Sequence, residues 1–235
     1  MPGRPGQGAV VNPFIVAIDG PAGAGKTTVS QMLARRLGCL YVDTGALYRG
    51  VAVLAMRRDI GLDDDLGLAK LCENLKMDLE LTPDATRVLA NGEDITAGLR
   101  TPEVSMAASA ISARPVVRAW LLTVQRSIGT KGSCVFEGRD MGTVVFPDAK
   151  FKFFLTADPR VRAVRRHKEL TAKGPAPSLV EVERDIRLRD RNDSTRSTAP
   201  MAAAPDAIFL DSTEKNADEV VKSMLEIIRE AQEIN

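Results

Sequence analysis

Several things are scarce or missing in this 235-residue chain. No apolar run approaches the ~20 residues that a bilayer crossing needs, so a helical membrane span is excluded. The opening stretch, MPGRPGQGAVVNP, has no apolar block of signal-peptide length and reads as a Pro/Gly-rich tail over residues 1–13. Neither sign of charge is in surplus. The 32 Lys and Arg against 31 Asp and Glu leave a formal +1, which argues against a general nucleic-acid coat. Cys39, Cys72 and Cys134 are the three cysteines, none in C-x-x-C spacing, and a reduced cytoplasm is their simplest home. The single histidine, His167, falls in a charged helical stretch and is expected as an exposed side chain, not a proton shuttle. Internal repeats and low-complexity tracts are absent. Nothing marks an oligomer interface, so a monomer is expected.

What is present is an alternation. Short apolar runs at Phe14 to Ile18, Leu40 to Val42, Val135 and Phe136, Phe151 to Leu155, and Ile208 to Leu210 read as five strands, the first of a length that suits a buried one. Longer segments of helical period separate or follow them: Thr27 to Leu37, about Gly45 to Arg58, Pro115 to Ile128 and about Ala217 to Gln232. The pattern is that of βα units, and it predicts an α/β domain over 14–235 with a doubly wound parallel five-stranded sheet. Met77 to Thr96 breaks the rhythm with two alternating segments and Asn91-Gly92 turn chemistry, which predicts a small antiparallel β insertion. A second insertion is expected from Asp158 to Arg196. It holds nine of the 22 arginines and a GPAPS break between two helical patterns. Asp63-Asp64-Asp65 precedes a helical segment and reads as capping, and Trp120 reads as core.

The strongest motif is G-x-x-x-x-G-K-[ST], and it lies between a strand and a helix. Gly20, Pro21, Ala22, Gly23, Ala24, Gly25, Lys26, Thr27 and Thr28 form the expected nucleotide-binding stretch. Its glycines let backbone N–H groups turn inward as an anion nest, and the helix dipole adds to it. Lys26 can reach the β- and γ-phosphates of ATP, the Thr27 hydroxyl can ligate Mg²⁺, and Asp43 can support the metal shell through water. A regulatory GTPase would need a base-reading N-K-x-D, and none occurs. A small phosphotransferase fits the length and the clustered arginines, because two mutually repelling phosphates must be held in line. Arg49 after the second strand, Glu137-Gly138-Arg139-Asp140 after another, and Arg189, Asp193 and Arg196 along one helix face are candidates for that task.

These segments resemble the bacterial cytidylate kinase family of P-loop nucleoside monophosphate kinases. The resemblance is carried by IDGPAGAGK at Ile18 to Lys26, DTGALYR at Asp43 to Arg49, GRDMGTVVFPDA at Gly138 to Ala149, and RDRNDSTR at Arg189 to Arg196. It implies a monophosphate-binding insertion over 59–112, a short arginine-rich lid over 158–196, and transfer of the ATP γ-phosphate to CMP or dCMP with Mg²⁺. It also implies that Thr44, Ser109, Arg118 and Asp140 surround the cytosine and that Arg49, Arg139 and Arg196 hold the acceptor phosphate. Arg189 and Asp193 would contact the sugar, and Lys26, Arg139, Arg189 and Arg196 would carry the transfer. Arg165 and Arg166 are both candidates for the ATP side. Another small P-loop kinase, acting on UMP or a metabolite hydroxyl, and a nucleotide-binding regulator without transfer chemistry are the alternatives. Lys26→Ala is expected to remove most ATP-dependent phosphoryl transfer, and full activity in a coupled ADP-release assay would contradict the phosphate-loop reading.

Overall fold

The structure is a computed structural model that describes residues 13–81, 86–172 and 174–233. In chain order the elements are β1 (Ile15–Asp19), α1 (Lys26–Leu37), β2 (Leu40–Asp43), α2 (Thr44–Arg57), α3 (Asp65–Glu73), β3 (Met77–Leu81), β4 (Thr86–Ala90) and β5 (Glu93–Asp94). There follow α4 (Pro102–Ile111), α5 (Pro115–Gly129), β6 (Cys134–Gly138), a π-helical turn (Met141–Val145), β7 (Phe151–Thr156), α6 (Pro159–Thr171), α7 (Leu179–Thr195), β8 (Ile208–Asp211) and α8 (Ala217–Glu233). The tail expected over 1–13 lies outside the described residues apart from Pro13.

Five strands form a parallel sheet in the order β2-β6-β1-β7-β8, as the alternation predicts. Because successive strand residues point to opposite faces, the sheet feeds two cores. Val16, Ile18, Val135, Phe151 and Phe153 pack with α1 and α8 on one face. Ala17, Val42 and Phe136 pack with α2, α4 and α5 on the other. All five residues of β6 are buried, which explains a strand that reads as a continuous apolar run into Glu137. Local chemistry sets the helix ends. The Asp43 side chain accepts the Ala46 N–H at the start of α2, and Gly38 closes α1 at φ 65°. Asp64 caps α3 as the aspartate run predicts, and Ser178 with Glu181 forms a reciprocal capping box on α7.

The small antiparallel sheet has the order β3-β4-β5. Its longer pairing is β3 with β4, from Met77 opposite Ala90 to Leu81 opposite Thr86. Asn91-Gly92 turns instead between β4 and the two-residue β5, so the expected hairpin turn serves the shorter pairing. The 59–112 segment has no separate hydrophobic core among the described residues: Leu68, Val88, Ile95 and Val104 belong to the cluster that holds Ala17 and Phe136. The 158–196 segment differs. Ala163, Val182 and Ile186 make a small cluster of their own, with Leu170 packed against it. His167 is half-buried there, short of the exposure its charged surroundings suggest.

Phe136 is fully buried and packs at 4.5 Å between ring centroids against Phe146. Phe136→Ala should cost about 3–5 kcal/mol through lost burial and a residual cavity. Denaturant unfolding checks this, and a loss below about 1 kcal/mol would contradict the assigned core.

Candidate functional site

The loop between β1 and α1 is shaped by close approaches that only glycine permits. Gly20 lies at φ 146°, and a Cβ there would stand 2.0 Å from the Leu155 carbonyl oxygen. Gly25 caps α1 at φ 90° without a side-chain bond, and no acidic residue occupies the first turn of α1. The positive end of the helix is thus left for an outside anion. Lys26 folds back across the loop, its Nζ donating to Gly20 O at 2.8 Å and to Pro21 O at 2.7 Å. Burial, reinforced by the Arg139 guanidinium and opposed by Glu137 and Asp19, pushes the Lys26 ammonium down to about 7.

Thr27 Oγ1 donates to Glu137 Oε1 at 2.8 Å, and the Tyr41 hydroxyl donates to the same carboxylate oxygen. Burial and the neighbouring Asp43 carboxylate raise the Glu137 pKa. Asp43 itself is turned to α2, capping it and accepting from Arg49 Nη2 at 2.7 Å. Glu137, then, is the carboxylate in contact with the threonine hydroxyl. Its place at the carboxyl end of a strand was legible in the sequence, but its position beside the phosphate loop and its contact with Thr27 were not. Asp19 ends β1 and accepts the Met141 and Gly142 N–H groups, both at 2.8 Å, tying the phosphate loop to the turn that carries Arg139 and Asp140. Burial raises its carboxyl to about 6.

A cavity of about 680 Å³ joins these groups to the arginines. Lys26, Thr27 and Thr28 line it together with Thr44, Arg49, Ser109, Arg139, Arg189, Asp193 and Arg196. Arg139 Nε is held by Asp193 Oδ2 at 2.9 Å. Arg196 donates to Ala199 O at 2.7 Å and to Ser112 Oγ at 3.1 Å. The Arg189 side chain makes no ion pair among the described residues, and its buried Nε has no hydrogen-bond partner. Burial and the nearby Arg139 charge push its pKa down to about 10. Arg49 Nε, Ser109 Oγ and Arg189 Nε are buried without partners, an arrangement that favours an outside ligand because orphaned buried polar atoms are costly. Arg118 and Asp140 do not lie on the cavity wall. They pair with each other behind Tyr48, Ser112 and Arg196, with Arg118 also donating to Ser112 O at 3.1 Å and lying 5.7 Å from the Tyr48 ring centroid. Burial raises the Asp140 pKa in spite of both arginines. Of the two lid candidates, Arg166 lines the cavity, whereas Arg165 is spent on Ser212, donating to its Oγ at 2.9 Å and its carbonyl at 2.6 Å.

A parallel sheet with a glycine-rich phosphate loop, opening on a cavity rich in cations, defines a small P-loop phosphotransferase. Comparison with known proteins narrows the class. The profile of the family described as Cytidylate kinase matches residues 16–230. A cytidylate kinase from Geobacter sp. (strain M21) is 48% identical over 219 residues, covering 93% of this chain and 94% of the relative. One from Geobacter sulfurreducens is 49% identical over 217 residues, covering 92% and 93% respectively. An uncharacterized protein from Eubacterium ventriosum shares the fold with a TM-score of 0.52 at 13% identity, over 92% of this chain and 98% of that one. The chain belongs to the cytidylate kinase family.

Polyphosphate binding favours a charged Lys26, so above about pH 7 the free loop must take up a proton when a nucleoside triphosphate binds. ATP affinity should therefore fall as pH rises beyond that point, by up to about tenfold per unit. Titration calorimetry in two buffers of different ionisation enthalpy should register the uptake, and Lys26→Arg, whose guanidinium stays charged, should abolish it. No uptake in the unaltered protein would contradict the lowered pKa.

Proposed function

We propose that this chain transfers the γ-phosphate of ATP to CMP or dCMP, giving ADP and CDP or dCDP. One observation carries the reading: a single cavity joins the phosphate loop to Arg49, Arg139 and Arg189, two of which hold buried N–H groups with no protein acceptor. Two anion sites facing each other suit transfer between phosphates, where the acceptor oxygen is already ionised and needs no base.

In this reading Gly20 to Thr28 and Lys26 bind the triphosphate, with Arg166 on the donor side of the lid. Arg49, Arg139 and Arg196 hold the acceptor phosphate, and Arg189 and Asp193 contact the sugar. Lys26, Arg139, Arg189 and Arg196 offset the charge that spreads over the moving phosphoryl group. Thr44 and Ser109 line the cavity at the base, while Arg118 and Asp140 reach it once the Tyr48, Ser112 and Arg196 layer in front of them moves aside. The Asp140 carboxylate would then accept from the exocyclic amine of cytosine, and Arg118 would donate to the ring nitrogen and carbonyl. Thr27 Oγ1 with the Glu137 and Asp43 carboxylates forms an all-oxygen donor set that fits Mg²⁺, which Thr27 would hold directly and Asp43 through water. When bound, Mg²⁺ supplies charge neutralisation on the phosphates. The 59–112 segment is then the monophosphate-binding part and 158–196 the lid. We place the protein in the cytoplasm as a monomer acting on small nucleotides. Its three cysteines are free, and no helix among the described residues is long and apolar enough to cross a membrane.

A coupled assay of ADP release with MgATP, offering CMP, dCMP, UMP, AMP and GMP separately, tests the reading. Fast turnover on CMP and dCMP, weak turnover on UMP and none on the purines is expected. Equal rates on all five would discard the base-site assignments, and silence on all five would overturn the acceptor.

A further inference from the structure

The lid hydrogen-bonds the phosphate loop at Ala22, and it takes both backbone polar groups of that residue. Ala22 N–H donates to Asp190 Oδ1 of α7 at 3.1 Å, and Ala22 O accepts from Arg162 Nη1 of α6 at 2.9 Å. Arg162 and Asp190 are also paired with each other, and Arg162 Nε is anchored to Ala157 O at 3.0 Å just beyond β7. The neighbouring residue shows the same closeness by another route. A Cβ on Gly23, at φ 76°, would stand 3.0 Å from the Arg162 carbonyl oxygen and 3.1 Å from its Cβ. The first turn of α6 therefore rests on the loop backbone itself. Arg162 is 6% exposed, so its charge is tied to this arrangement.

We propose that Arg162 and Asp190 are positioning residues for the phosphate donor, holding the Ala22 backbone on both sides, and through it the phosphate loop, in its binding geometry beneath the lid. The inference rests on the kinase reading of the cavity. A carboxylate beside an anion site would repel phosphate, and the Arg162 guanidinium offsets that charge while it fixes the peptide. The acceptor end of α7 has anchors of its own. Asp193 holds Arg139 at 2.9 Å, Met201 N–H donates to Asp193 O at 2.7 Å, and Arg196 reaches Ser112 Oγ at 3.1 Å. Loosening Ala22 should thus be felt by ATP and not by CMP.

Steady-state kinetics with ATP and CMP varied independently test this on the wild type, Arg162→Ala, Asp190→Ala and the double variant. Arg162→Ala, which leaves the Asp190 charge uncompensated beside the loop, should raise the KM for ATP by about tenfold or more, with the KM for CMP within about twofold. Adding Asp190→Ala removes the second bond to the same Ala22 backbone, so the KM for ATP should stay raised, but by less than the product of the two single effects. An unchanged KM for ATP in Arg162→Ala, an equal rise in both KM values, or single effects that multiply fully in the double variant would overturn the proposal. Should Arg162→Ala prove unfolded by circular dichroism, the near-isosteric Asp190→Asn carries the test. A severalfold rise in KM for ATP alone supports the proposal, and no change overturns it. A wild type that phosphorylates no nucleoside monophosphate overturns both this and the kinase reading, whereas wild-type turnover with indifferent variants overturns this one alone.

Discussion

Crowding of like charge is the constraint to which the rest of this structure answers. Lys26, Arg49, Arg139, Arg166, Arg189 and Arg196 converge on one cavity, and without compensation they would drive the lid and the sheet apart. The fold answers with a carboxylate for nearly every cation: Asp43 for Arg49, Asp193 for Arg139, Asp140 for Arg118 and Arg196, Glu169 for Arg166. Such pairs contribute little net stability once desolvation is counted. What they give is direction, since each guanidinium is aimed before any phosphate arrives and less order is lost on binding. Lys26, held by two backbone carbonyls, and Arg189 have no such partner among the described residues, and Arg189 is the more exceptional. It is left to burial and to repulsion by Arg139, and two polyanions are its natural counter-charge.

Direction also depends on how the cavity's parts are joined. Asp19 ends one strand and caps the backbone of the turn after another, so the phosphate loop and the segment bearing Arg139 and Asp140 move as one piece. Ala22 joins the same loop to the lid from above. The loop is thereby held from two sides, by a buried carboxylate beneath and an ion pair over it. Its own sequence, rich in glycine, could not fix it alone.

The sheet was almost fully legible in the sequence. Each of its five strands falls within a residue or two of the apolar run that marks it. The central β1, β6 and β7 are largely apolar because both their faces are covered, whereas the edge strand β8 keeps its apolar run although Ile208 and Phe209 are exposed. The phosphate loop was legible for a related reason, since its backbone approaches allow few alternatives to glycine. The aspartate run before α3 and the capping of α7 followed local rules as well. What the sequence concealed were contacts between distant segments. Glu137 meets Thr27 across 110 positions, and Arg162 meets Asp190 across a helical hairpin. No period or spacing encodes such meetings. The π-helical turn at Met141–Val145 escaped for another reason: its first N–H groups are satisfied by Asp19, far back in the chain, so no local capping signal announces it. Arg118 and Asp140, grouped with the base by resemblance, lie one layer behind the cavity wall, a depth that no sequence pattern reports.

The sharing of one core between the sheet and the 59–112 segment has an evolutionary side. Val88, Ile95 and Val104 stabilise the whole molecule while they pack the 59–112 segment against the sheet. A substitution at these residues therefore draws on global stability, of which proteins hold little in reserve. The 158–196 segment has a small apolar cluster of its own in Ala163, Val182 and Ile186, yet it also sets Arg162 and Asp190 against the phosphate loop and Asp193 and Arg196 against the cavity. Its apolar positions can therefore drift at local cost, whereas its charged ones answer to the whole site.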